Sequence, residues 1–127
     1  MRVMFLRPVR GKVAARCRRQ LESTIPPAHR EIYHNLHDLT AALGRFENRD
    51  ALLVLIPADR MGLVGLAAER DRLMAHKCIL ILPDGTEETF KLGHLLYPRF
   101  VTDQASNFGI AARVLTGVLE HMAAIES

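Results

Sequence analysis

A chain of 127 residues, 49% hydrophobic and 24% charged, is long enough for one domain with its own core and has neither a disordered nor a fibrous composition. No apolar stretch approaches the roughly 18–20 residues of a membrane helix, and Val3-Met4-Phe5-Leu6 is too short for the apolar region of a signal peptide. The net charge of +3 hides an asymmetry: residues 1–20 hold Arg2, Arg7, Arg10, Lys12, Arg16, Arg18 and Arg19 and no acid, whereas the rest of the chain carries 10 basic and 14 acidic side chains.

Five strand–helix steps of similar length follow one another without a linker or a low-complexity segment. Arg2 to Leu6 reads as the first strand. The helix after it, from about Gly11 to Glu22, buries Val13, Cys17 and Leu21 at i, i+4 and i+8. Pro26-Pro27 forces an extended entry to a second strand, Arg30 to His34, whose polar–apolar alternation suits a sheet edge. Asp38 is the expected N-cap of a second helix with Leu36, Leu39, Leu43 and Phe46 on its buried face.

Ala51-Leu52-Leu53-Val54-Leu55-Ile56 and Cys78-Ile79-Leu80-Ile81-Leu82 are continuous apolar runs, the mark of strands covered on both faces in a parallel sheet. Between them a helix from about Met61 to Ala75 turns Leu63, Leu66, Ala67, Leu73 and Met74 inward. After the fourth strand, Asp84-Gly85-Thr86-Glu87 has the spacing of a capping box with Asp84 as the cap, and Gly93 reads as that helix's stop. Tyr97-Pro98 introduces a fifth strand, Arg99 to Thr102. The last helix carries Phe108, Ala111, Val114, Leu115, Val118, Met122 and Ile125 on one face. Alternating strands and helices with right-handed crossovers predict an α/β three-layer sandwich, flavodoxin-like, with a parallel five-stranded sheet of order 2-1-3-4-5 spanning residues 1–127.

Arg2-Val3-Met4-Phe5-Leu6, Leu39-Thr40-Ala41-Ala42-Leu43, Arg49-Asp50-Ala51-Leu52-Leu53-Val54-Leu55 and Phe100-Val101-Thr102 together resemble the receiver domain of bacterial response regulators over nearly the whole chain. The resemblance implies phosphoryl transfer to an aspartate at the end of strand three. It also implies a Mg²⁺ held by that residue and an acidic pair after strand one, a Thr or Ser after strand four, and a Lys after strand five. Here the acidic pair falls on Arg7-Pro8, the acceptor on Leu55, Ile56 or Pro57, the hydroxyl on Leu82 or Pro83, and the lysine on Asp103. Hard oxygen ligands and a phosphate-binding cation are what this chemistry requires. The resemblance with these departures implies a degenerate pseudo-receiver: no aspartate phosphorylation, no enzyme activity, no cofactor, and signalling through protein–protein contact.

Where a receiver has acid after strand one and base after strand five, this chain has Arg7 and Asp103. One reading pairs Arg7 with Asp103, or with Asp59, across the former phosphate site. The other leaves Arg7 in solvent and makes Asp59, Asp84 and Asp103 helix N-caps. The three aspartates share the strand-end rim but lie on separate loops, so no metal site is expected, and His34 and His37 read as exposed histidines. No phosphate-cradling glycine loop and no nucleophile elbow occurs, and Gly62-Leu63-Val64-Gly65 reads as helix packing. Cys17 and Cys78 stand alone at apolar positions, as free buried thiols of a cytoplasmic protein.

The resemblance places the interaction surface on the last helix, the helix before it and strand five, with Lys91, Arg99, Arg113 and Glu120 as exposed candidates. Lys12, Arg16 and Arg19 along the first helix form a second candidate surface, suited to an acidic partner. The expected partner is a protein, a sensor kinase or regulator among the candidates, or a second copy of the chain. Nucleic acid is not expected, because neither a recognition motif nor an aromatic stacking platform accompanies the charge. The alternative function is a small-ligand or nucleotide sensor at the C-terminal edge of the sheet.

Overall fold

Five strands, β1 (Val3–Leu6), β2 (Arg30–Tyr33), β3 (Leu52–Leu55), β4 (Cys78–Leu82) and β5 (Phe100–Asp103), form one sheet in the order β2-β1-β3-β4-β5. Every neighbouring pair is parallel, with Leu6 opposite both Tyr33 and Leu55. The computed structural model describes residues 2–104 and 108–126, with side chains through His121. β1, β3 and β4 are buried along their whole length and β2 and β5 are half-buried, as their central and edge positions require. The sheet order agrees with the sequence reading, and the fold is α/β of the flavodoxin-like kind.

Alternation along the strands splits the core into two layers. Met4, Leu6, Leu53, Leu55, Leu80 and Leu82 face one side, against Leu39, Leu63, Leu66 and Leu73 of α2 (Leu36–Leu43), α3 (Arg60–Ala68) and α4 (Arg70–Leu73). On the other side Val3, Phe5, Leu52, Val54, Ile79 and Ile81 pack on Cys17 of α1 (Lys12–Gln20) and on Phe108, Ala111 and Leu115 of α6 (Phe108–Glu126). Gly11, at φ 106°, admits the chain to α1 in a left-handed conformation that other residues rarely adopt.

Several local expectations are corrected. α1 ends at Gln20, and Glu22 lies in a 3₁₀ turn, Glu22–Thr24. α2 starts earlier than predicted: Asn35 is its N-cap and accepts from the Asp38 amide at 2.8 Å, while the Asp38 carboxylate accepts from the Asn35 side-chain amide at 2.8 Å. Phe46 falls beyond α2 on another 3₁₀ turn, 78% exposed, with the Arg49 guanidinium 4.0 Å above its ring. The predicted third helix breaks at Glu69, which keeps Leu73 in the core and leaves Met74 largely exposed. α5 (Glu87–His94) is capped by Thr86, not Asp84, because Thr86 Oγ1 is the atom that accepts from the Thr89 amide. Gly93 does not stop α5 but lies inside it, buried against β4. In α6, Phe108, Ala111 and Leu115 are buried and Val114 and Val118 half-buried, while the side chains of Met122 and Ile125 lie outside the described residues.

Candidate functional site

At the C-terminal edge of the sheet, β3 ends in Leu55, Ile56 and Pro57, all buried. Arg7, which follows β1, is also buried. Its Nε donates to Glu22 Oε2 at 2.6 Å and its Nη2 to Oε1 at 3.3 Å, while Nη1 donates to the Pro8 carbonyl at 2.9 Å. Both sequence readings of Arg7 are thereby corrected: it pairs with neither Asp103 nor Asp59, and it does not reach solvent. Continuing the alternation of Val3 and Phe5 points position 7 toward the α1 layer, where Glu22 follows the helix. Glu22 also stands against Cys17, whose thiol is pushed up first by burial and then by the neighbouring carboxylate.

The three aspartates of the rim have separate duties. Asp59 caps α3, accepting from the Gly62 amide at 2.8 Å. Asp84 is not a cap: it accepts from the Thr86 hydroxyl at 2.7 Å and the Thr86 amide at 3.0 Å, with Arg60 Nη2 at 3.9 Å. Asp103 ends β5 with its Oδ2 at 3.1 Å from where a Cβ on Gly85 would lie, and its relation to the start of α6 falls outside the described residues. Arg60 also reaches Thr86 Oγ1 at 3.2 Å and Glu88 at 3.3 Å, and Gln104 donates to the Pro57 carbonyl at 2.8 Å. Arg60, Gln104 and Glu22 are missing from the sequence reading. The first two stand next to residues singled out there, but their partners come from distant segments, Asp84, Thr86 and Glu88 for Arg60 and Pro57 for Gln104.

The Thr86 hydroxyl, with help from Thr89 and the Thr86 amide, holds the Asp84 carboxyl down at about 2. The fold favours the carboxylate, so this contribution to stability is complete above the ordinary value of 3.8 and is lost as pH falls through about 2. In Thr86→Ala the Asp84 titration, followed by carboxyl NMR, is expected to move up toward 3.8, and loss of the α5 cap to cost about 1 kcal/mol.

Beside the rim lies a cleft of about 210 Å³ bounded by Arg7, His34, Asn35, Pro57, Asp59 and Gly62. His34 is exposed, with Nδ1 3.3 Å from the Arg7 carbonyl oxygen. α2 and α3 both begin at this cleft, and each N-terminus is closed by its own cap, Asn35 or Asp59. Among the described residues, no group of three His, Cys, Asp or Glu side chains is placed to hold a metal ion, and no helix is long and apolar enough to cross a membrane.

The candidate interaction residues divide. Lys91, paired with Glu87 at 3.5 Å, is exposed on α5, Arg99 just before β5, and Arg113 and Glu120 on α6. Leu95, Tyr97 and Ile110 add exposed apolar area there, with Tyr97 76% exposed. Tyr97 has φ 47°, a left-handed conformation that costs a non-glycine residue about 1 kcal/mol. On α1, Lys12 and Arg19 are exposed, but Arg16 is engaged within the molecule: it donates to the Gln104 carbonyl at 3.1 Å and lies 4.4 Å above the Phe108 ring. Lys12 and Arg19 therefore do not continue through Arg16 as one free basic stripe.

No family model, no curated protein and no solved structure matches the chain. Its class is the one its own topology defines, a doubly wound α/β sandwich with an all-parallel sheet of order 2-1-3-4-5.

Proposed function

We propose that this protein is a receiver-like signalling module that is not phosphorylated on aspartate and works by protein–protein contact. The observation that carries the reading is the make-up of the strand-end rim. Buried Leu55, Ile56 and Pro57 stand where phosphoryl chemistry would need an acceptor, and Arg7, neutralised by Glu22, stands where it would need a metal-binding acid. The surface of α5, β5 and α6 supports a contact role, since Leu95, Tyr97 and Ile110 expose apolar area among the charges of Lys91, Arg99, Arg113 and Glu120. Strain at an exposed Tyr97 is of the kind found at recognition sites.

Incubation with acetyl phosphate and Mg²⁺, followed by intact mass and amide NMR spectra, tests the chemical half. The expected result is an unmodified mass and unchanged spectra. A phosphoryl adduct on Asp59, Asp84 or Asp103 would contradict it.

The cleft between Arg7, His34 and Asp59 favours a second reading, a sensor of a small ligand or nucleotide at the C-terminal edge. That reading expects saturable thermal stabilisation by the ligand and its loss in His34→Ala.

A further inference from the structure

Each strand is entered beside a cation: Arg2, Arg30, Arg49, Lys77 and Arg99 precede or open β1 to β5 in turn. Three of these have partners inside the molecule. Arg2 pairs with Glu31, Arg30 donates to the Glu22 and Ile25 carbonyls, and Arg49 meets Asp50 and the Phe46 ring. The other two, Lys77 and Arg99, share the walls of a groove of about 330 Å³ with His121 of α6, and Val114, Gly117 and Val118 complete it. Among the described residues, no carboxylate lines this groove or pairs with Lys77, Arg99 or His121.

We propose that this groove, at the sheet edge opposite the strand-end rim, binds a phosphate monoester with a small apolar body. Two permanent cations, Lys77 and Arg99, repel one another unless an anion joins them. A phosphate monoester brings about −1.5 to −2 charge at neutral pH, which matches the two permanent cations. The guanidinium of Arg99 can grip two phosphate oxygens and the ammonium of Lys77 supplies a point charge. Val114 and Val118 offer apolar area to the rest of the ligand, and Gly117 lies beside them with open space where a Cβ would stand. The site goes beyond the proposed signalling role: it shares Arg99 with the candidate contact surface of α5, β5 and α6, while Lys77, Gly117 and Val118 lie outside that surface.

Phenyl phosphate, inorganic phosphate and benzoate, titrated into the whole protein and followed by amide NMR, test the proposal. Phenyl phosphate is expected to saturate with shifts at Lys77, Arg99 and residues 114–121, and to bind about tenfold or more tighter than either of the other two, because only it uses both charge and apolar contact. Lys77→Gln and Arg99→Gln are each expected to weaken it about 10- to 100-fold, whereas Lys77→Arg keeps the binding. Gly117→Leu, which places a side chain in open space, is expected to block the groove while the amide spectrum elsewhere stays native. Absence of saturation, shifts confined to α1, or equal affinity for inorganic phosphate and phenyl phosphate would each overturn the proposal.

Discussion

Replacing Glu22 with alanine is expected to lower the free energy of unfolding by about 3–5 kcal/mol, because it strands a buried guanidinium without its counter-charge. The side chains of Arg7 and Glu22 are 7% and 5% exposed, so water cannot take the place of the lost carboxylate. The Pro8 carbonyl would remain as a partner of Nη1, but it carries no charge. The pair itself contributes far less than its breakage costs, since both ions were desolvated to form it. A double variant, Arg7→Met with Glu22→Leu, is therefore expected to return to within about 1 kcal/mol of the parent or to exceed it. Urea unfolding with an unchanged slope reads both effects. A Glu22→Ala loss below about 1 kcal/mol would mean that the pair behaves as a surface ion pair. Arg7 and Glu22 thus form an internal link between the end of β1 and the turn after α1, and under the proposed receiver-like reading that link takes the place of a metal-binding acid.

Gly93→Val is expected to cost about 2–3 kcal/mol through overpacking, although glycine is a poor helix former. A Cβ at position 93 would lie 2.9 Å from Leu82 Cδ2 and 3.0 Å from Leu80 Cδ2, and both leucines are fully buried. Valine adds two methyl groups to that crowded point, and its β-branch restricts the rotamers with which it could avoid them. Leu82→Ala alone leaves a cavity, but combined with Gly93→Val it makes room for the new side chain. The double variant is expected to be more stable than the sum of the single losses by about 1 kcal/mol or more. Additive losses would show that α5 moves away from the sheet without strain. Because Gly93 seats α5, the same variant is expected to displace Leu95 and Tyr97 and to weaken any contact made through them.

The central strands are legible in the sequence because burial on both faces leaves a continuous apolar run, and β4 is bounded at Cys78 and Leu82 as read. The edge strands follow from their mixed residues, and the sheet order follows from setting those two strands outside the three apolar ones. Capping is legible in type and misplaced in position: Asn35 and Thr86 compete with Asp38 and Asp84 two or three residues away, and hydrogen-bond geometry decides among residues of similar propensity. Phe46 looks like a core residue by periodicity alone, but the chain has left the helix before reaching it. Of the site, the presence of Arg7 and the aspartates at the rim is legible, because strand ends are. The partner of Arg7 is not, since opposite charges at many positions are equally available until the side-chain directions are known. The groove of Lys77, Arg99 and His121 is invisible for a related reason: three elements distant in sequence supply it.

The proposed protein contact through the surface of α5, β5 and α6 is best tested by affinity capture of the tagged chain from its own cells. Capture is done at moderate salt with nuclease, and the parent is compared with Tyr97→Asp and Leu95→Asp. Both residues are exposed, so neither change is expected to disturb the fold. A defined protein is expected in fixed proportion with the parent and is expected to be lost with both variants. Recovery that is unaffected by the two variants, or recovery of the chain alone, would contradict the proposed contact.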